Sequence, residues 1–106
     1  MNERRAESAA DPEFEKLLQA VLRHIDHEEL ARLAQELVRI PSVYRPEEAD
    51  GNEARVARFL TEYLEREGLD VSVEAVAPGR PNLWAAWEGE TPWKSLLFEA
   101  HTDVVT

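Results

Sequence analysis

The chain has 106 residues, with 22 acidic and 12 basic side chains, and its formal net charge of −10 indicates an acidic protein with the length of one domain. It has no cysteine, which excludes disulfides, a zinc ribbon, an iron–sulfur cluster and a thiol nucleophile, so any metal ligand must be His, Asp or Glu. The acidic balance makes nucleic acid an unfavourable partner. No apolar run approaches the roughly 20 residues of a membrane span, so we expect a cytoplasmic protein without a membrane partner.

Residues 1–11 are polar and aperiodic, and we expect a disordered leader there, followed by a folded part over residues 12–106. Apolar residues at helical spacing predict a first helix over about 13–25. Asp26, with Glu29 three positions later, is a candidate cap for a second helix, which Pro41 should stop. A third helix is predicted over about 53–67, with Gly68 at its carboxyl end.

The period then changes from helical to alternating, which predicts strands. The first strand has Val71, Val73 and Ala75 on one face, and a turn over 78–81 separates it from a second strand over 82–88. A third strand is predicted over 95–105. Helices first and strands second indicate an α/β fold in which three helices pack on a sheet of at least three strands. Because the last apolar strand reaches Thr106 without a cover, we expect the fold to be incomplete at the C-terminus and the chain to be the first part of a longer protein.

Candidate chemistry lies in the third predicted strand, at His101 and Asp103. Side chains two apart on a strand project from one face, so the carboxylate can accept the proton of one imidazole nitrogen while the other nitrogen binds a divalent ion. A His-x-Asp triplet alone is a weak signal, since an ordinary strand-end histidine bonded to a carboxylate shows the same spacing.

Four motifs carry a family resemblance, three that precede this triplet and the run that contains it. They are Leu-Val-Arg-Ile-Pro-Ser-Val (37–43), Arg-Glu-Gly-Leu (66–69), Arg-Pro-Asn-Leu (80–83) and the His-Thr-Asp-Val-Val run of 101–105. With them, the sequence resembles the N-terminal part of the zinc-dependent peptidase and deacylase family that includes acetylornithine deacetylase, succinyl-diaminopimelate desuccinylase, aminoacylase and glutamate carboxypeptidase. The resemblance spans about 30–105, and its most specific elements are 40–43 and 101–105.

The resemblance implies that His101 is a metal ligand and that Asp103, counted among the catalytic residues, is its supporting carboxylate. It implies two zinc ions per complete site, with cobalt or manganese as substitutes, and hydrolysis of amide bonds in N-acyl amino acids or small peptides. The family's bridging Asp, glutamate base and remaining ligands have no counterpart here, so residues 12–106 would be the N-terminal portion of a catalytic domain that is inactive alone. Ala100 and Thr106 depart from the family's usual Gly and Pro. A homodimer is a candidate state of the full-length protein.

Three alternatives stay open. His24 and His27 could bind metal from a helix, but their spacing lacks the glutamate of helical zinc proteases, and helix-end histidines are the favoured interpretation. The tryptophans could form a stacking platform, although core and edge packing is favoured because Trp84 and Trp87 would lie on opposite faces of a strand. Finally, the chain could be a non-catalytic remnant or a helical interaction module.

Overall fold

The computed structural model describes residues 11–91 and 94–106. Its elements are α1 (Pro12–Arg23), α2 (His27–Arg39), α3 (Ala54–Arg66), β1 (Asp70–Ala77) and β2 (Arg80–Ala86). The chain divides into two compact units, Met1–Glu36 and Leu37–Thr106. The leader predicted over residues 1–11 lies outside the described residues except for Asp11. The α/β class is confirmed, with three helices and a two-stranded antiparallel sheet in the described part of the chain.

The first unit shows how local capping sets helix boundaries. The Asp11 carboxylate accepts a hydrogen bond from the Glu13 amide at 3.1 Å, and α1 starts at Pro12, where no amide hydrogen is needed. Asp26 accepts from the amides of Glu28 and Glu29 at 2.9 and 3.2 Å, so the predicted cap of α2 is confirmed. The apolar face of α1 is exposed, with Phe14 at 59% and Leu17 at 63%.

In the second unit, α3 begins after Asn52, whose side-chain oxygen accepts a hydrogen bond from the Ala54 amide at 3.0 Å. It ends before Gly68, which has a φ of 86° and supplies the left-handed residue that closes a helix. The predicted bounds of the third helix are therefore confirmed to within one residue at each end. Val56 and Ala57 on this helix are buried, each 4% exposed.

The hairpin of β1 and β2 lies against α3. The strands pair antiparallel, with Val73 opposite Leu83, and a two-residue turn at Pro78 and Gly79 joins them. Gly79 has a φ of 71°, which a tight hairpin turn needs and which other residues adopt at a cost. Because this turn is shorter than predicted, β2 starts at Arg80 rather than at 82. Contacts from α3 to both strands form the helix-on-sheet layer of this unit.

The predicted third strand is not formed. Residues 94–103 have no strand pairing, and the segment makes a single isolated parallel bridge, between Val104 and Val43. A strand forms only where a neighbouring segment supplies backbone hydrogen-bond partners. Among the described residues, Val43 is the only bridge partner of this segment, and it pairs with Val104 alone. The sheet of at least three strands predicted from alternation is therefore corrected, for residues 11–91 and 94–106, to two strands and a bridge.

A further sequence expectation concerns the exposure of the tryptophans. Trp84 and Trp87 are 55% and 87% exposed, so neither lies in a core, Trp84 being on the paired strand β2, and Trp93 lies outside the described residues. Trp87 is exposed because β2 ends at Ala86, so Trp87 lies beyond the paired strand. None of the described helices has both the length and the apolar content needed to cross a membrane.

Candidate functional site

His101 and Asp103 are in direct contact. The Nδ1 atom of His101 lies 2.9 Å from the backbone oxygen of Asp103 and 3.2 Å from its Oδ1. The predicted pairing of these side chains therefore occurs, although the segment that carries it is not a paired strand. The contact is local, since His101 and Asp103 are two positions apart, and so it needs no sheet to form it.

The surroundings of Nδ1 determine which nitrogen of His101 is available to a ligand. Both atoms within reach of Nδ1 are oxygens that accept hydrogen bonds, so Nδ1 is assigned the proton and donates it. In the neutral ring Nε2 then holds the free lone pair. The His101 side chain is 83% exposed, so Nε2 is open to a metal ion or another acid.

Residues 40–43 and 101–105, the two most specific elements of the family resemblance, contact each other. Val104 forms the parallel bridge with Val43, and the Val104 amide donates a hydrogen bond to the Ser42 oxygen at 3.3 Å. Ser42 is buried, at 3% exposure. The Pro-Ser-Val run (41–43) thus holds the His-Thr-Asp-Val-Val run (101–105) in place through contacts with Val104.

Arg80, the first residue of β2, contacts both Glu53, just before α3, and Tyr44, which follows the 41–43 run. The sequence did not indicate these contacts. Its Nε lies 3.1 Å from both carboxylate oxygens of Glu53, and its Nη2 lies 2.6 Å from Oε1. Its guanidinium carbon lies 3.7 Å from the centroid of the Tyr44 ring. The hydrogen bonds to Glu53 are the largest cause that raises the pKa of Arg80, and the charge of Asp103 adds to the effect. Arg80 therefore stays cationic.

These residues fit one ligand of a metal centre, together with the carboxylate that orients it. A catalytic zinc ion needs about three protein ligands. Within residues 11–91 and 94–106, no group of three or more His, Asp or Glu side chains is placed to hold a metal ion. His24 caps the carboxyl end of α1 and His27 opens α2, which confirms that both are helix-end histidines.

An open groove lies elsewhere in the second unit. It has a volume of about 300 Å³, and its lining comes from α3 and the hairpin: Ala54, Ala57, Arg58, Thr61, Glu62, Val73 and Pro81. Neither His101 nor Asp103 contributes to it. The imidazole therefore faces open solvent rather than a formed cavity in the described part of the chain.

Comparisons with known proteins give one informative similarity. No protein-family model matches the chain, and no solved structure gives a significant match. The chain is 32% identical over 92 residues to the N-formyl-4-amino-5-aminomethyl-2-methylpyrimidine deformylase of Halalkalibacterium halodurans. The alignment covers 83% of this chain and 21% of that protein, so the chain spans about a fifth of the length of the curated relative that it matches.

Proposed function

We propose that this chain is the N-terminal part of a metal-dependent hydrolase that cleaves an amide bond, with His101 as a metal ligand and Asp103 as the carboxylate that orients it. The observation that carries the proposal is the contact of His101 Nδ1 with two oxygens of Asp103, which leaves Nε2 exposed. This arrangement of an imidazole with a carboxylate behind it is the one that metal-ligating histidines commonly have.

The similarity to a deformylase supports the class of reaction. That protein is named for removing a formyl group from nitrogen, and an N-formyl group is the smallest N-acyl amide. We correspondingly propose that the substrate is an N-acyl amine or a related small amide. The motifs at 37–43, 80–83 and 101–105, through which the sequence resembles zinc deacylases, support a proposal of the same chemistry.

His101 and Asp103 would have different roles in such a site. His101 would hold a zinc ion through Nε2, and Asp103 would keep Nδ1 protonated and the ring fixed. Zinc in such a site supplies Lewis-acid activation of an amide carbonyl and of water. The general base and the other ligands would come from sequence that follows Thr106 in the gene, and the 106-residue chain alone is expected to hydrolyse nothing.

The decisive experiment expresses this chain with whatever its gene encodes after Thr106 and assays hydrolysis of N-formyl and N-acetyl amines with added zinc or cobalt. His101→Ala should abolish metal-dependent turnover, because it removes a ligand. Asp103→Asn should lower metal affinity or turnover by about 10–100-fold, since it removes the group that orients the ligand. His24→Ala and His27→Ala are matched controls and should leave turnover unchanged.

Two results would count against the proposal. Full turnover in the His101→Ala variant would show that the imidazole is not a ligand. A stop codon directly after Thr106, with no metal-dependent hydrolysis, would favour the non-catalytic interaction module, for which the exposed apolar face of α1 is the specific observation.

A further inference from the structure

Three segments of the second unit meet at one guanidinium group. We call the set of Glu53, Arg80 and Tyr44 the Arg80 clamp. Glu53 is 5% exposed, and its carboxylate binds Nε and Nη2 of Arg80 in the two-point geometry that only arginine provides. The ring of Tyr44 covers the guanidinium at 3.7 Å. The clamp thus ties the residue before α3 to the first residue of β2 and to the 42–44 run.

The clamp is connected to the histidine through the backbone. Tyr44 directly follows Ser42 and Val43, the two residues that hold Val104 by a hydrogen bond and a bridge. Val104 in turn directly follows Asp103, whose oxygens contact His101. Among the residues that the structure describes, the bond from Val104 to Ser42 is the one backbone hydrogen bond between 94–106 and the rest of the chain.

We infer that the Arg80 clamp is a positioning device for the His101–Asp103 pair, in which the cation holds Tyr44 and its neighbours in the conformation that anchors Val104 and so presents Asp103 to the imidazole. Arg80, Tyr44 and Glu53 are positioning residues and do not touch a substrate. The value of this device for catalysis rests on the proposed function, but its effect on the imidazole does not.

The clamp makes a specific prediction about the tautomer of His101. While Asp103 is held in place, its oxygens keep the proton on Nδ1. If the contacts of Val104 with Ser42 and Val43 weaken, Asp103 no longer favours the Nδ1–H tautomer, and the population of the Nε2–H tautomer should rise. The ratio of the two tautomers can be read from the ring nitrogen shifts by nuclear magnetic resonance, well above the usual imidazole pKa of about 6.5. The chain has three histidines, so His24 and His27 serve as internal references.

The test uses the 106-residue chain with Tyr44→Leu, which removes the ring but keeps the buried ion pair. We expect the ratio of Nδ1–H to Nε2–H in His101 to fall by about two- to fivefold, the factor that corresponds to a cation–π contact at a partly exposed site. Tyr44→Phe keeps the ring and should retain the wild-type ratio. Arg80→Lys keeps the charge but loses the two-point geometry, and should also lower the ratio.

Arg58→Met removes an exposed cation from α3 and is the matched charge control, with no change expected. Arg80→Met leaves a buried carboxylate without its partner and could unfold the unit, so Tyr44→Leu is the variant on which the inference depends. An unchanged His101 ratio in folded Tyr44→Leu and Arg80→Lys would overturn it. A changed ratio together with full turnover of His101→Ala in the longer protein would keep the clamp and reject the proposed function.

Discussion

The second unit contains two regions that are held in different ways. The α3–hairpin region, 52–86, has a buried pair at Val56 and Ala57 and a paired two-stranded sheet. The region 94–106 carries the candidate ligand but has no secondary structure beyond the bridge at Val104, and its large apolar side chains are open to solvent. Their exposures are 80% for Leu96, 73% for Leu97, 85% for Phe98 and 92% for Val105.

The contrast shows that the scaffold and the site have different sources of order. The scaffold is held by burial and by a ladder of hydrogen bonds within itself. Within the described residues, the region that bears His101 is held by one backbone hydrogen bond and by side-chain contacts between near neighbours. An exposed contact of this kind contributes little to stability. The imidazole is therefore oriented locally but anchored weakly.

Hydrogen exchange should reveal the largest difference between the two regions. Amides of β1 and β2 are expected to exchange on the order of a hundredfold more slowly than those of 95–103, because opening the hairpin requires the loss of its packing on α3. Exchange followed by mass spectrometry or nuclear magnetic resonance measures this ratio. Equal protection in both regions would show that 95–103 has partners of its own and would remove the contrast.

Substitution of two glycines tests how the scaffold is built. A Cβ at Gly79 would overlap the side chain of Asn52, whose oxygen accepts a hydrogen bond from the Ala54 amide in the first turn of α3, whereas Gly68 has nothing within 4 Å. Both have positive φ. We expect Gly79→Ala to cost about 2–3 kcal/mol of unfolding free energy and Gly68→Ala about 1 kcal/mol. Denaturant titration compares them, and equal costs would contradict the role of Asn52 in joining the turn to the helix.

A third pair of variants compares burial in the two regions directly. Val56→Ala should cost about 2 kcal/mol, because it removes two buried methyl groups and leaves a cavity. Phe98→Ser should change stability by less than about 0.5 kcal/mol, since the ring is 85% exposed. Thermal and denaturant unfolding of both variants gives the comparison. A large cost for Phe98→Ser would mean that this ring packs in solution.

Much of the secondary structure could be predicted from the sequence because its determinants are local. The cap at Asp26 and the end of α3 at Gly68 depend on residues a few positions away. The same holds for the contact between His101 and Asp103, which spans two positions. The third strand could not be predicted reliably, because alternation describes the faces of a segment but does not reveal whether a neighbouring strand is present.

The local pattern of capping, helical stripes and alternation established three helices, a hairpin and a histidine beside its carboxylate, since each of these depends on near neighbours along the chain. Folding in three dimensions added the pairing of Arg80 with Glu53, 27 positions away, and the bridge that brings Val104 to Val43. Such contacts arise from the packing of α3 on the hairpin, and no local pattern specifies which distant residues that packing will bring together.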